Sequence, residues 1–138
     1  MDLGKQIELW NENEQYSQII HAIEALEENQ LTPELISELA KAYNNAADSN
    51  DQASFEKAIA LLKTVEEPLG KDHNWNFRMA YAYYYLDQEG PALNYFERAL
   101  EARPEETELR QAVETLRDSA RWQAAHWQTW SVAAWRGQ

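Results

Sequence analysis

The chain has 138 residues, no cysteine and a net charge of −12, which fits one ordinary domain with room for a sizeable core and excludes a disulfide framework or a thiolate metal site. Ala, Glu, Leu, Gln and Asn dominate over four glycines and four prolines, a balance that favours helix over sheet. So acidic a surface repels a phosphate backbone and argues against general nucleic-acid binding. The longest apolar run, Met79 to Leu86, falls far short of the ~20 residues a membrane span needs.

The opening residues, MDLGKQIELWNENEQ, hold no basic start followed by an apolar core, so no secretory signal is expected. The lack of cysteine fits a reducing, cytoplasmic compartment. Apolar residues at helical spacing predict helices near 3–11, 14–28, 33–47, 52–66, 73–87, 91–102 and 106–135, and no run alternates long enough for a strand. Polar or Pro/Gly punctuation at Asn11–Asn13, Thr32-Pro33, Asp48–Asp51, Pro68–Gly70, Gly90-Pro91 and Pro104 separates them. Thr32-Pro33 is a helix start, a hydroxyl cap followed by a proline at the first helical position. Gly90-Pro91 reads as a short stop and restart between antiparallel neighbours.

The predicted helices pair, and the pairs resemble one another. Met79, Ala80 and Tyr83 mark the first helix of the third pair, and Ala92, Phe96 and Ala99 mark the second. Leu39, Ala40 and Tyr43 stand 40 residues upstream of their counterparts, while Ala58, Leu62 and Val65 stand 34 upstream of theirs. One insertion in the polar turn from Asn44 to Asp51 absorbs the difference. In the first pair Ile7 and Trp10 precede Ile19, Ile23 and Leu26. Self-similarity near 34 residues is the sign of a helical solenoid.

On these residues the chain resembles the tetratricopeptide-repeat (TPR) family, in a small bacterial-type form. The third repeat matches the family's small, aromatic, Ala, Phe, Ala and Pro positions at Ala80, Tyr83, Ala92, Phe96, Ala99 and Pro104. Asn76 stands where the family has a tryptophan, with Trp75 one place off. The second repeat matches less well, and the first is recognised by spacing and Trp10. The resemblance covers about residues 3–104. It implies an all-α, right-handed helical-hairpin solenoid of about three TPR-like repeats with a long C-terminal capping helix. Residues 1–117 then form the repeat domain, and 118–138 a Trp-rich helix that belongs to it or serves as a capping or association tail. The packing logic stands without the family. Ala80, Ala92 and Ala99 let helix axes approach closely while Tyr83 and Phe96 fill the gaps, so leucine at 80 or 92 should cost roughly 1–3 kcal/mol.

No residue pattern points to catalysis. His21, His73 and His126 have no glutamate three residues before them and form no HExxH pair, and His21 reads as packing. The glycines are too scattered to cradle phosphate, and the serines lack a nucleophile motif. Paired acids such as Glu27-Glu28, Glu66-Glu67 and Glu105-Glu106 read as solvated helix ends. No enzyme activity, cofactor or metal is expected.

The fifth predicted helix carries a surplus. One stripe, Asn76, Met79, Ala80 and Tyr83, faces the partner helix. A second, Phe77, Tyr81, Tyr84 and Gln88, is rotated by about one residue, or ~100°, and Tyr85 lies beyond it. The resemblance implies that Asn74, Phe77, Tyr81, Tyr84 and Tyr85 face a concave groove, with Glu34, Ser37, Lys41, Asn44 and Asn45 as their second-repeat counterparts. The expected partner-binding residues are Lys41, Asn44, Asn45, Asn74, Phe77, Arg78, Tyr81, Tyr84 and Tyr85. Packing under the next repeat or the tail is the alternative for the aromatics. Alanine at Tyr81 and Tyr84 should abolish partner capture and leave the thermal melt nearly unchanged. The carboxylate clamp of some family members carries over to Gly4, Glu8, Glu38, Asn74 and Arg78; only Arg78 fits, and Glu8 and Glu38 would repel such a ligand.

After Asp118 the chain has no carboxylate, two arginines (Arg121 and Arg136) and four of its six tryptophans. Leu109, Val113, Leu116, Ala120, Ala124, Trp127 and Ala134 form an inner stripe at helical spacing. A cap over the last repeat is the first reading of this tail. Association with another copy through Trp122, Trp127, Trp130 and Trp135 is the second, and a helix on a membrane surface the third. The sequence therefore predicts a protein–protein adaptor for a peptide or helix of a partner protein, without nucleic acid or membrane. The alternative is a homodimeric or larger homo-oligomeric scaffold.

Overall fold

A computed structural model describes residues 2–127, with side chains described as far as Ser119. The regular elements among these residues are all helical. In chain order they are α1 (Leu3–Glu12), α2 (Tyr16–Glu24), a 3₁₀ turn (Glu28–Gln30), α3 (Pro33–Ala46), α4 (Gln52–Lys63), α5 (Glu66–Leu69), α6 (His73–Tyr85), α7 (Glu89–Ala102) and α8 (Thr107–Trp127). No helix among the described residues is long and apolar enough to cross a membrane.

Short polar side chains start the helices where the sequence places them. Thr32 Oγ1 accepts the Leu35 N–H at 3.1 Å, with Pro33 at the first helical position. Asp51 and Asp72 accept the N–H groups of Ser54 and Trp75 in the same way, at 3.2 and 2.9 Å. Each bond satisfies one donor that the helix itself leaves free.

Three boundaries differ from the expected ones. The helix predicted at 14–28 ends at Glu24, and a 3₁₀ turn follows. Glu24, Glu27 and Glu28 would otherwise crowd negative charge at the negative end of a helix dipole. The helix predicted at 52–66 stops at Lys63, and the four-residue α5 fills the way to Gly70. A side chain at Gly70 would bring its Cβ to 2.7 Å from the Glu66 carbonyl oxygen, so the close approach requires glycine there. The turn between α6 and α7 is made by Asp87, at φ 59°, rather than by Gly90. Gly90-Pro91 instead lie in the first turn of α7, where a missing N–H costs no intrahelical bond.

Contacts run mainly between neighbours in sequence. α1 packs on α2, α2 on α3, α3 on α4, α6 on α7 and α7 on α8, and both α3 and α4 also touch α6. Three apolar clusters follow from this order. Ile7, Ile19, Ile23, Leu39 and Ala42 join the first helices. Phe55, Ala58, Leu62, Trp75 and Met79 join α4 to α6. Ala80, Ala92, Phe96, Ala99, Leu109, Val113 and Leu116 join α6, α7 and α8. The small residues read from spacing, Ala80, Ala92 and Ala99, are fully buried. The inner stripe of the last helix is observed through Leu116; its continuation from Ala120 lies outside the residues whose side chains are described. α6 is covered on two sides, so it buries Trp75, Asn76, Met79, Ala80 and Ala82 together.

Candidate functional site

The α3–α6 contact positions the site. Arg78 on α6 reaches α3, donating from one guanidinium nitrogen to Ser37 Oγ at 2.7 Å and from the other to Glu38 Oε1 at 3.3 Å. In return the Asn44 carboxamide donates to the Arg78 carbonyl at 3.1 Å. These bonds fix the two helices side by side and leave a cleft of about 380 Å³ between them and the start of α8.

Seven of the nine residues singled out for the groove line this one cleft: Lys41, Asn44 and Asn45 from α3, and Asn74, Phe77, Arg78 and Tyr81 from α6. Tyr84 and Tyr85 do not; they border a separate depression with Ser49, Asp87, Glu89 and Gly90 at the α6–α7 turn. The aromatic surplus thus divides. Phe77 and Tyr84 are exposed, at 38% and 45%. Tyr85 stacks on the buried ring of Phe55 with centroids 5.4 Å apart, and Tyr81 packs against both Phe55 and Tyr85. Burial pushes the Tyr81 phenol above its ordinary value, with Tyr85 adding to the shift. Tyr81 and Tyr85 are therefore half core and half wall, which corrects the expectation that alanine at Tyr81 would leave stability untouched.

Arg78 also departs from its expected role. Its side chain is 12% exposed and is paired with Glu38, itself 28% exposed. Glu38, counted from sequence as a residue that repels a ligand's carboxylate, instead neutralises the one cation that fitted the clamp pattern. Arg78 is a tie between helices. Asn44 is 2% exposed, and its Oδ1 has no hydrogen-bond partner among the described residues.

Sequence reasoning missed four lining residues, His73, Glu106, Glu108 and Leu109. His73 Nδ1 lies 2.8 Å from the Ala99 carbonyl, and its ring stacks on Phe77 with centroids 6.3 Å apart. Glu106 and Glu108 flank the first residue of α8, where carboxylates are favoured by the helix dipole; only the docking of α8 on α7 brings them to the cleft. The one usable signal was that a third helix of the same kind should wall the groove beside α6. The tail tryptophans are a different case. Trp122 and Trp127 lie on α8, but their side chains, and Trp130 and Trp135 altogether, fall outside what is described.

Among the described residues no group of three or more His, Asp and Glu side chains is placed to hold a metal ion. The cleft offers carboxamides, one ammonium, two carboxylates and an aromatic face, a set suited to recognition by hydrogen bonds and stacking. No protein-family model and no curated protein matches the chain.

Proposed function

We propose that the chain is a small solenoid of about three TPR-like repeats that binds an extended peptide or a helix of a partner protein in the cleft between α3, α6 and α8. In this reading it is a binding adaptor and not an enzyme. The supporting observation is that seven residues chosen from sequence periodicity and family resemblance line a single cleft. Asn45 and Asn74 supply carboxamides for a polypeptide backbone, and Phe77 supplies an apolar face. The repeat architecture is supported by the fully buried alanines between α6 and α7 and by the side-by-side setting of α3 and α6. Self-association through the tail rests on residues beyond those described, and no described contact favours it.

A site-specific photo-crosslinker tests the reading. Placed at Asn45 or Asn74 of the full chain in extract of the producing cells, it should yield a discrete protein adduct. Placed at Ala60, exposed on α4 away from the cleft, it should not. Equal adducts at all three positions, or none at any, would reject the cleft as the binding surface.

A further inference from the structure

The polar groups of the cleft are unevenly matched, and acceptors are in excess. Among the described residues Asn44 Oδ1 is buried without a hydrogen-bond partner. His73 donates from Nδ1 to the Ala99 carbonyl, which only accepts, so that donor is not available to a ligand. Glu106 and Glu108 add two carboxylates at the α8 wall. The partner of Glu106, Arg103, is 3.9 Å away and 48% exposed, too loose a pair to neutralise it. Against these acceptors stand two cations among the described residues, and Arg78 is already committed to Glu38 and Ser37. Of these Lys41 remains, on the α3 wall. Between the walls lies Phe77, its ring held edge-on by Phe96 at 5.6 Å and flanked by His73.

We propose that the cleft reads a single arginine in an extended segment of the partner. The inference rests on the peptide-binding reading above and names the side chain that it selects. A guanidinium is flat, always charged and carries five N–H donors. It lies against the face of Phe77 as a cation on an aromatic ring and donates to Glu106 and Glu108. Lysine offers a point charge with no face to stack, and a carboxylate would meet Glu106 and Glu108 as a like charge. Lys41 opposes a second cation on the α3 side, so the preferred segment holds one arginine rather than a basic run.

Phage display of random heptapeptides on the full chain is the test, with peptides from the enriched clones remade for titration. The expected peptides share one arginine. They bind Glu106→Gln/Glu108→Gln about tenfold or more weaker, with the helical spectrum kept and the melt lowered only by the lost helix-dipole contribution, and selection on Glu106→Lys/Glu108→Lys yields acidic peptides in their place. Enriched peptides that lack arginine, or that ignore the glutamine variants yet fail on Phe77→Ala, overturn the arginine assignment and leave the cleft reading standing. No enrichment, or binding that survives both Phe77→Ala and Asn74→Ala, overturns both. Binding that strengthens when Arg121 and Arg136 are changed to Gln would make the chain's own C-terminal region the occupant, which also overturns the proposal.

Discussion

The indole Nε1–H of Trp75 donates to the carbonyl of Leu62 at 2.8 Å. Leu62 is next to last in α4, and its carbonyl also accepts the Val65 N–H at 3.1 Å just past the helix end, so the indole is a second donor there. Trp75 is fully buried, and its ring meets Tyr95 edge-on at 5.8 Å. One side chain therefore adds a donor at a helix end, fills the α4–α6 contact and touches α7. Trp75→Phe should lower the unfolding free energy by about 0.5–1.5 kcal/mol, the net worth of one hydrogen bond, since the Val65 N–H still donates to the Leu62 carbonyl. Trp75→Ala should cost about 3–5 kcal/mol. Urea denaturation followed by far-ultraviolet circular dichroism measures both. A phenylalanine variant within about 0.5 kcal/mol of the parent would show that the bond contributes nothing.

Trp75 also marks where sequence reasoning reaches its end. Spacing identified Ala80, Ala92, Phe96 and Ala99 as packing residues, because small and large side chains at helical period have one efficient arrangement, and all four are buried. It placed Asn76 on the inward stripe of α6 and assigned Trp75, one place off, to no face. A helix covered on two sides buries both, and Asn76 ties back to the Gly70 and Asp72 carbonyls at 3.0 and 2.8 Å. The cleft was legible where its walls lie on helices with a clear period, as at Lys41 and Phe77. The α8 wall was not, since Glu106 and Glu108 have the composition of any solvated helix start. Pairing of a charge is equally silent in sequence. Nothing in the periodicity of α6 says that Arg78 is spent on Glu38.

The division among the aromatics gives opposite expectations for two neighbouring tyrosines. Tyr84 is exposed and, among the described residues, its ring meets only that of Tyr85, edge-on; alanine there should shift stability by less than about 0.5 kcal/mol. Tyr81 joins Phe55, Phe77 and Tyr85 in one cluster, and its truncation should cost about 2–4 kcal/mol, somewhat below a fully buried ring. Thermal melts of the two variants compare them directly. Equal losses would mean the ring cluster does not contribute to the fold.

Arg78 is expected to behave as a structural residue before it behaves as a binding one. Replacing Glu38 by alanine leaves a guanidinium that is 12% exposed without its carboxylate, and should destabilise the chain by about 1–3 kcal/mol. Arg78→Met, which keeps the stem and removes the charge, should cost less than Glu38→Ala, since it removes the group whose charge must be balanced. Chemical denaturation orders the two. The reverse order would show that the ion pair contributes little and that packing of the arginine stem dominates.

Tyr43 gives the chain a dependence on alkaline pH. Its hydroxyl donates to Glu24 Oε2 at 2.5 Å, and the Lys57 ammonium lies 5.6 Å from the ring centroid. Burial, with the Glu24 hydrogen bond and charge adding to it, pushes the phenol from its ordinary value of 10.0 up to about 12. A group whose pKa is raised on folding stabilises the folded state most below its unfolded value and loses that contribution as pH climbs through the folded one. Below pH 10 the parent should exceed Tyr43→Phe by about 0.5–1.5 kcal/mol, the net worth of one such bond. Between pH 10 and 12 that gap should close, because ionised Tyr43 no longer donates and faces the Glu24 carboxylate as a like charge. Taking the difference from the phenylalanine variant removes Tyr81 and Tyr95, whose phenols burial also raises. Denaturation of both proteins across this range settles the matter: parallel stability profiles would mean that the Tyr43–Glu24 contact does not persist in solution.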